Sequence, residues 1–161
     1  MNPKQIEDIQ RTFKLVAPIK DKAASLFYQK LFELNPSLRP LFKSDIEEQG
    51  RKLMAAIGSV VSSLRHLDRV IPVLQKLGRK HVDYGVADED YNTVAEALLW
   101  ALEQGLGAEF TPDVKQAWTE AYLTVADVMM KAAHDKQFQD EFIELLSMGQ
   151  SFIRQKDASP A

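Results

Sequence analysis

Apolar residues recur along the chain with the period of α-helices, about 3.6 residues per turn. The clearest face lies near the N-terminus and comprises Ile6, Ile9, Phe13 and Val16. Asn2 and Pro3 precede it as a capping residue and a proline at the first helical position. The same analysis predicts a short helix after Asn35 and longer helices over 19–34, 44–64, 72–84, 88–106 and 111–133.

Start and stop signals separate these helices. Thr111 and Pro112 form a second cap-plus-proline pair, and Ser44 followed by Glu47 predicts a capping box. Gly85 is expected to break the chain between two helices. Alternation typical of β-strands does not persist anywhere in the sequence. Helices of unequal length with short connections predict an irregular all-α fold rather than an up-down bundle.

Composition and charge narrow the functional classes. The 161 residues suit one domain, and the net charge of -3 argues against a nucleic-acid partner. The absence of cysteine excludes disulfides, thiolate metal sites and haem attached through cysteine. The polar N-terminus does not resemble a signal peptide, and no segment has the roughly 18 apolar residues that suggest a membrane span. A cytoplasmic protein without membrane contact is expected.

One of the three histidines is a candidate metal ligand. His66 and His134 lack a distinctive setting, whereas His81 shares a predicted helix face with Leu74 and Leu77. An imidazole on an apolar face needs partners for its nitrogens, and a metal and a backbone carbonyl could supply them. A single histidine cannot build a zinc site, which needs about four ligands. Haem iron needs only one axial histidine, because the macrocycle fills four positions.

A second face joins an amide to apolar residues: Gln49, Leu53, Ala56 and Val60. It is either a core face with Gln49 at its exposed edge or one wall of a haem pocket. Tyr28 lies on another apolar face, and a buried tyrosine needs a partner for its hydroxyl. Spacing alone leaves both interpretations open.

Four segments carry a family resemblance: LFYQKLFELNPSLRPLF, QGRKLMAAIG, LGRKHVDYGV and YNTVAEALLWALEQGLGAEFTPDVKQAW. Through them the chain resembles globins from its start to about residue 133. It is similar to single-domain bacterial globins, to the globin domain of flavohaemoglobins and to animal neuroglobin. The resemblance implies a three-over-three helical sandwich around haem b, iron protoporphyrin IX. We expect a globin domain over 1–134 and a C-terminal helical extension and tail over 135–161.

The resemblance also implies roles for individual residues. His81 matches the proximal histidine that binds iron, and Phe42 matches the phenylalanine that stacks on haem. Gln49 and Tyr28 match the two distal positions beside a bound gas. Leu53 follows Gln49 by one turn and is expected to shape the gas pocket.

Four further positions follow from the same resemblance. Lys52 and Val86 match the haem edge, with Lys52 near a propionate. Tyr91 matches a tyrosine behind the proximal histidine of flavohaemoglobins, but Ala133 stands where those proteins have a glutamate, give or take one residue. Without that carboxylate we expect a weaker anionic influence on the imidazole and less peroxidase-like character.

The expected function is reversible binding of O2, and also of NO and CO, for storage, delivery or scavenging. Bound O2 gains partial negative charge from the iron, and hydrogen bonds to charged groups contribute about 1.5–3 kcal/mol. Donors at Tyr28 and Gln49 should therefore slow O2 release by roughly 10- to 100-fold. The alternatives are a nitric oxide dioxygenase served by a separate reductase and a haem-based gas sensor. Whether the protein is an enzyme stays open.

The C-terminal segment contains an apolar stripe typical of an amphipathic helix. It comprises Phe138, Phe142, Leu145 and Phe152, with Leu146 and Met148 nearby. Such a stripe needs a covering surface, because isolated helices of this length are marginal in water. The candidates are the protein's own helices, a second subunit or another partner, so the sequence leaves open a monomer or a homodimer.

Overall fold

The computed structural model describes residues 1–158, and their side chains through Ser147 except those of Phe138 and Phe142. This part of the chain forms six α-helices: α1 (Pro3–Val16), α2 (Lys20–Leu34), α3 (Ile46–Ser62), α4 (Ile71–Asp83), α5 (Asp88–Leu106) and α6 (Pro112–Ala158). Short 3-10 helices cover Ala17–Ile19, Pro36–Leu41, Leu64–Arg69 and Gly107–Glu109. No strand occurs within residues 1–158, which confirms the predicted all-α class.

Hydrogen bonds confirm two of the predicted helix starts, and the backbone conformation of Gly85 confirms the predicted break after α4. The Asn2 side chain accepts from the Gln5 backbone N–H at 2.9 Å, and the Gln5 side chain accepts from the Asn2 backbone N–H. Thr111 caps α6 by accepting from the Val114 backbone N–H at 3.2 Å. Gly85 has φ of 84°, a left-handed conformation that glycine adopts without steric cost.

The predicted capping box at the start of α3 is wrong. Asp45, not Ser44, occupies the capping position, and no side chain there bonds the free backbone N–H groups. The Ser44 hydroxyl instead accepts a hydrogen bond from the Gln49 side chain. Spacing could not reveal this, because a serine hydroxyl can accept from a side chain as readily as from the backbone.

The last helix is longer than predicted. The sequence analysis placed one helix end near residue 133 and a separate helix after it, whereas α6 runs without interruption to Ala158. Neither glycine nor proline occurs between Pro112 and Gly149, so nothing in the chain chemistry stops the helix there. The division into 1–134 and 135–161 therefore coincides with no break in the backbone and stays a prediction.

The main core lies where α1 and α6 pack together with α2, α3 and α5. Thr12 is fully buried there; its hydroxyl donates to the Asp8 carbonyl at 2.7 Å and accepts from the Trp118 indole N–H at 2.9 Å. This satisfies the buried polar groups and fixes α1 against α6.

A close crossing of α4 and α6 positions the helix that carries His81. A Cβ built on Gly78 would lie 2.2 Å from the Met129 carbonyl oxygen, so only glycine permits the two backbones to come this close. His81 follows Gly78 by three residues on α4, and the crossing therefore determines where its imidazole lies.

The described part of the predicted C-terminal stripe does not dock on the protein's own helices. Leu145 is 65% exposed and Leu146 is 52% exposed, and the neighbouring Ile143 is 60% exposed. The side chains of Phe138, Phe142, Met148 and Phe152 lie outside the described residues. No helix among the described residues is both long enough and apolar enough to cross a membrane.

Candidate functional site

His81 lies in the last turn of α4 with one ring nitrogen committed to the backbone. Its Nδ1 is 2.7 Å from the Leu77 carbonyl oxygen, and because a carbonyl only accepts, Nδ1 must carry the proton. The Nε2 lone pair is then available to a metal, which is the arrangement of most metal-binding histidines. Burial lowers the pKa of the half-buried His81, opposed in part by the bond to Leu77. The imidazole is therefore neutral near pH 7, as a ligand must be.

An aromatic residue with an unpartnered hydroxyl lies behind His81. The Tyr91 ring stacks on the imidazole with 6.3 Å between centroids, and 8% of Tyr91 is exposed. The Tyr91 hydroxyl has no hydrogen-bond partner within the described part of the chain. Burial and then the nearby Asp88 raise the pKa of Tyr91, so its hydroxyl stays protonated. Tyr122 donates to the Tyr91 carbonyl at 2.5 Å and fixes its backbone.

A cavity of about 320 Å³ adjoins this pair. His81, Val86, Tyr91 and Ala133 are among its lining residues. Ala133 stands within one residue of the position where the resemblance places a glutamate, and it contributes a methyl group to the wall of the cavity. The His134 Nε2 lies 2.7 Å from an Asp88 carboxylate oxygen in the same wall. Sequence analysis missed this pair, since its members lie 46 residues apart without a local pattern.

Tyr28 is the central member of an aromatic cluster on α2. Its ring meets Phe42 edge-on at 5.4 Å and stacks on Phe32 at 6.0 Å, and 4% of the residue is exposed. Burial raises the pKa of Tyr28 to about 12, so the phenol keeps its proton and can donate. The predicted Tyr28 and Phe42 positions are thus brought into direct contact.

Gln49 lies where α3 crosses α2. At the next residue, a Cβ built on Gly50 would lie 3.0 Å from Ala24 Cβ and 4.0 Å from Tyr28 Cε2. The missing side chain lets α3 approach α2 closely beside Tyr28. The Gln49 Nε2 is 2.5 Å from the Ser44 Oγ, and Gln49 itself is half-buried.

The three apolar residues of the predicted face that begins at Gln49 are not fully buried. Leu53 and Val60 are half-buried, whereas Ala56 is exposed; a closed core face would bury all three. Leu53 packs in the cluster that contains Tyr28 and Phe42. It also lines an apolar cavity of about 20 Å³ with Phe27 and others. Val60 also packs against core residues, so the pocket-wall interpretation stays a prediction.

The site residues fall into two groups. Tyr28, Phe42 and Leu53 share one cluster, while His81, Val86 and Tyr91 surround the cavity behind α4. A Cβ built on Gly85 would lie 3.6 Å from Leu41 Cδ2, so the turn after α4 meets the segment that leads to Phe42. Lys52 lies at the surface and pairs with Glu48 at 3.6 Å, and its position near a propionate stays a prediction.

The globin family model matches residues 25–129. The chain belongs to the globin family. The match begins within α2 and ends within α6, so it includes every residue that the sequence analysis placed in the pocket.

Curated relatives are flavohemoproteins. The chain is 30% identical over 142 residues to flavohemoprotein B of Dictyostelium discoideum, covering 88% of this chain and 34% of that protein. It is 29% identical over 144 residues to the flavohemoprotein of Bacillus subtilis, and the match covers 88% of this chain and 36% of that protein. It is 35% identical over 109 residues to the flavohemoprotein of Chromobacterium violaceum, and that match covers 66% of this chain and 27% of that protein. The chain spans about a third of the length of these relatives.

The described residues fit a haem better than a bare metal ion. No group of three His, Asp or Glu side chains suited to a metal occurs among them, so His81 would have no second protein ligand beside it. One neutral imidazole with a free Nε2 is sufficient for haem iron, because the macrocycle supplies four ligands of its own. Phe42 and Leu53 add the apolar contacts that a porphyrin face requires.

Proposed function

We propose that this chain binds one haem b through Nε2 of His81 and reversibly holds a diatomic gas, principally O2, beside Tyr28 and Gln49. The observation that carries the proposal is the His81–Leu77 bond at 2.7 Å, which leaves a neutral imidazole with a free Nε2 on a globin chain. The chain has no cysteine, which excludes covalent attachment and leaves a non-covalently bound haem such as haem b.

The protein's own groups account for gas retention. When bound, the haem supplies the iron at which a diatomic gas coordinates. Tyr28 offers a protonated hydroxyl, because its pKa is about 12, and Gln49 offers amide N–H groups. Each donor would stabilise the negative charge on bound O2 by up to about 1.5–3 kcal/mol. Phe42 and Leu53 pack in the same apolar cluster as Tyr28 and would limit the access of water, which would strengthen these hydrogen bonds.

The second candidate is a nitric oxide dioxygenase that depends on a separate reductase. Similarity to flavohemoproteins over 88% of the chain favours it. Ala133 weighs against any role that needs an anionic proximal imidazole, since a methyl group lines the cavity at that position.

Stopped-flow absorbance separates the two candidates. The haem-loaded protein is reduced without oxygen and mixed with O2, and then with NO in the presence and absence of a generic reductase. A stable O2 complex with slow release and no sustained nitrate formation supports reversible binding. Sustained NO-dependent nitrate formation with the reductase supports the enzyme. A chain that takes up no haem contradicts both.

A further inference from the structure

Ser44 contacts Gln49, one of the two candidate gas-binding residues. It lies in the loop between Phe42 and α3, and its hydroxyl accepts from the Gln49 amide. The hydroxyl is available for this contact because α3 begins at Ile46 without a side-chain cap. The bond therefore replaces a helix cap with a link between the loop and the distal amide.

Both ends of this link are anchored on the helix that carries Tyr28. Phe42, two residues before Ser44, packs against Tyr28 and against Phe32 with ring centroids 5.4 Å and 5.5 Å apart. Gly50, the residue after Gln49, packs against Ala24. The Ser44–Gln49 contact is thus flanked by half-buried Phe42 on one side and buried Gly50 on the other, even though the hydrogen bond itself is exposed.

The contact restricts what the amide can offer to a ligand. Side chains on a helix lean toward its N-terminus, and Ser44 lies beyond that end of α3. The Gln49 Nε2 has two N–H groups, one of which is committed to Ser44. An amide drawn toward the loop must give up this bond before it can turn fully to a ligand beside Tyr28.

We infer that Ser44 competes with bound gas for the Gln49 amide and so lowers the O2 affinity of the pocket. This inference rests on the proposed function, because it requires Gln49 to face the gas. Ser44 acts through Gln49 and is a positioning residue. It would set how much of the distal amide's hydrogen bonding the bound gas receives.

The test is a double-mutant cycle on the O2 release rate of the haem-loaded protein. Ser44→Ala should release O2 about two- to tenfold more slowly than wild type, the effect of one neutral hydrogen bond. Ser44→Thr keeps a hydroxyl and should behave as wild type. Ser44→Ala combined with Gln49→Leu should match Gln49→Leu alone. Ser62→Ala removes another exposed serine hydroxyl, at the far end of α3, and should change nothing.

Infrared spectra of the CO complex give a readout that does not depend on O2 chemistry. Ser44→Ala should move the C–O stretch to lower frequency, because an amide N–H closer to CO strengthens donation from the iron into CO. The shift should vanish when Gln49 is Leu. A structural effect of Ser44 would persist in that background.

The outcomes separate the inference from the proposed function. If Gln49→Leu speeds O2 release but Ser44→Ala leaves it unchanged or speeds it, the competition is refuted and the proposed function stands. The same holds if Ser44→Ala acts equally with and without Gln49. If Gln49→Leu has no effect, Gln49 does not face the gas, and both the inference and the proposed distal role of Gln49 fail.

Discussion

His81 differs from the other histidines in that its Nδ1–H is paired within its own helix. Replacing it with Ala should remove the only protein bond to haem iron, so that purified His81→Ala retains little haem. Added imidazole should restore part of the haem content by occupying the same position. The measurements are the haem-to-protein ratio and the visible spectrum.

His66→Ala is the matched control. His66 is exposed in the 3-10 helix Leu64–Arg69 and is not among the residues that line the cavity beside His81, so its loss should leave haem content unchanged. Full haem content in His81→Ala, with an unaltered spectrum, would refute the assignment of the ligand.

Tyr28→Phe isolates the contribution of one hydroxyl, since the ring and its contacts with Phe32 and Phe42 are kept. O2 release should accelerate about 10-fold or more, as expected for losing a hydrogen bond to a charged acceptor. CO release should change much less, because bound CO carries less negative charge. Tyr84→Phe, at a tyrosine that is 55% exposed, is the control. Equal effects on both gases would mean that the hydroxyl acts by shape.

The pH profile of O2 release tests the protonation state of the same group. Because burial raises the pKa of Tyr28 to about 12, the hydroxyl keeps its proton well above the usual range for tyrosine. The release rate should be constant from about pH 6 to about pH 10 and rise only when the donor is lost at higher pH. A rate that increases between pH 7 and 9 in wild type, but not in Tyr28→Phe, would contradict the raised pKa.

At the scale of single residues, the sequence predicted a role correctly where a side chain had few possible hydrogen-bond partners. His81 stood out because an imidazole on an apolar helix face needs partners, and the Leu77 carbonyl is one of them. Ser44 was misassigned because its hydroxyl had several possible partners within a few residues. Ser44 pairs with Gln49 because Phe42, packed against Tyr28, holds the loop in place. The spacing of residues in the sequence does not reveal that packing.

At the scale of helices, the crossing of α4 and α6 depends on one glycine. Gly78→Ala would place a methyl group 2.2 Å from the Met129 carbonyl oxygen, which forces the two helices apart. The free energy of unfolding should fall by about 1–3 kcal/mol, typical of overpacking. Because α4 carries His81, haem retention should fall as well. Denaturant titration and the haem-to-protein ratio measure the two effects.

Gly58→Ala on α3 is the control, because no backbone atom of another helix approaches this position. Its Cβ would lie at an ordinary 3.6 Å from the Phe13 ring. Alanine favours helix over glycine by about 0.5–1 kcal/mol, so this variant should be neutral or more stable. If Gly78→Ala behaves as Gly58→Ala does, the close approach of α4 and α6 is refuted.

The sequence predicted individual helices better than their packing. Caps and left-handed glycines depend on neighbours in the chain, and the ends at Asn2, Thr111 and Gly85 were confirmed. Gly78 gave no such signal, since a glycine inside a helix reads from sequence only as a weak helix former. Glycine is required at this position because the backbone of Met129, 51 residues away on another helix, lies against it.

At the scale of the whole molecule, helical period predicted an irregular all-α fold but not which helices pack together. The globin arrangement came from the resemblance, and the match over residues 25–129 confirmed it. Neither helical period nor the resemblance predicted the cavity behind His81, because its walls come from three helices, α4, α5 and α6. A departure such as Ala133 can be noted in sequence, but only the structure shows that this residue lines the same cavity as His81 and Tyr91.

The C-terminal end of α6 has exposed apolar side chains where the sequence analysis required a covering surface. Ile143, Leu145 and Leu146 are each more than half exposed. Deleting residues 139–161 should therefore leave the free energy of unfolding and the O2 release rate nearly unchanged, because these three side chains contribute little to the globin core. Denaturant titration, stopped-flow absorbance and analytical ultracentrifugation are the measurements.

A longer deletion, of residues 135–161, provides the comparison. It also removes Lys136, which pairs with Asp83 at the end of α4, and should cost up to about 1 kcal/mol, the upper range for a surface ion pair. A dimer that becomes a monomer in the shorter deletion would assign the exposed residues to a second subunit. If the shorter deletion instead lowers the free energy of unfolding by several kcal/mol and leaves the oligomeric state unchanged, the segment docks on its own domain.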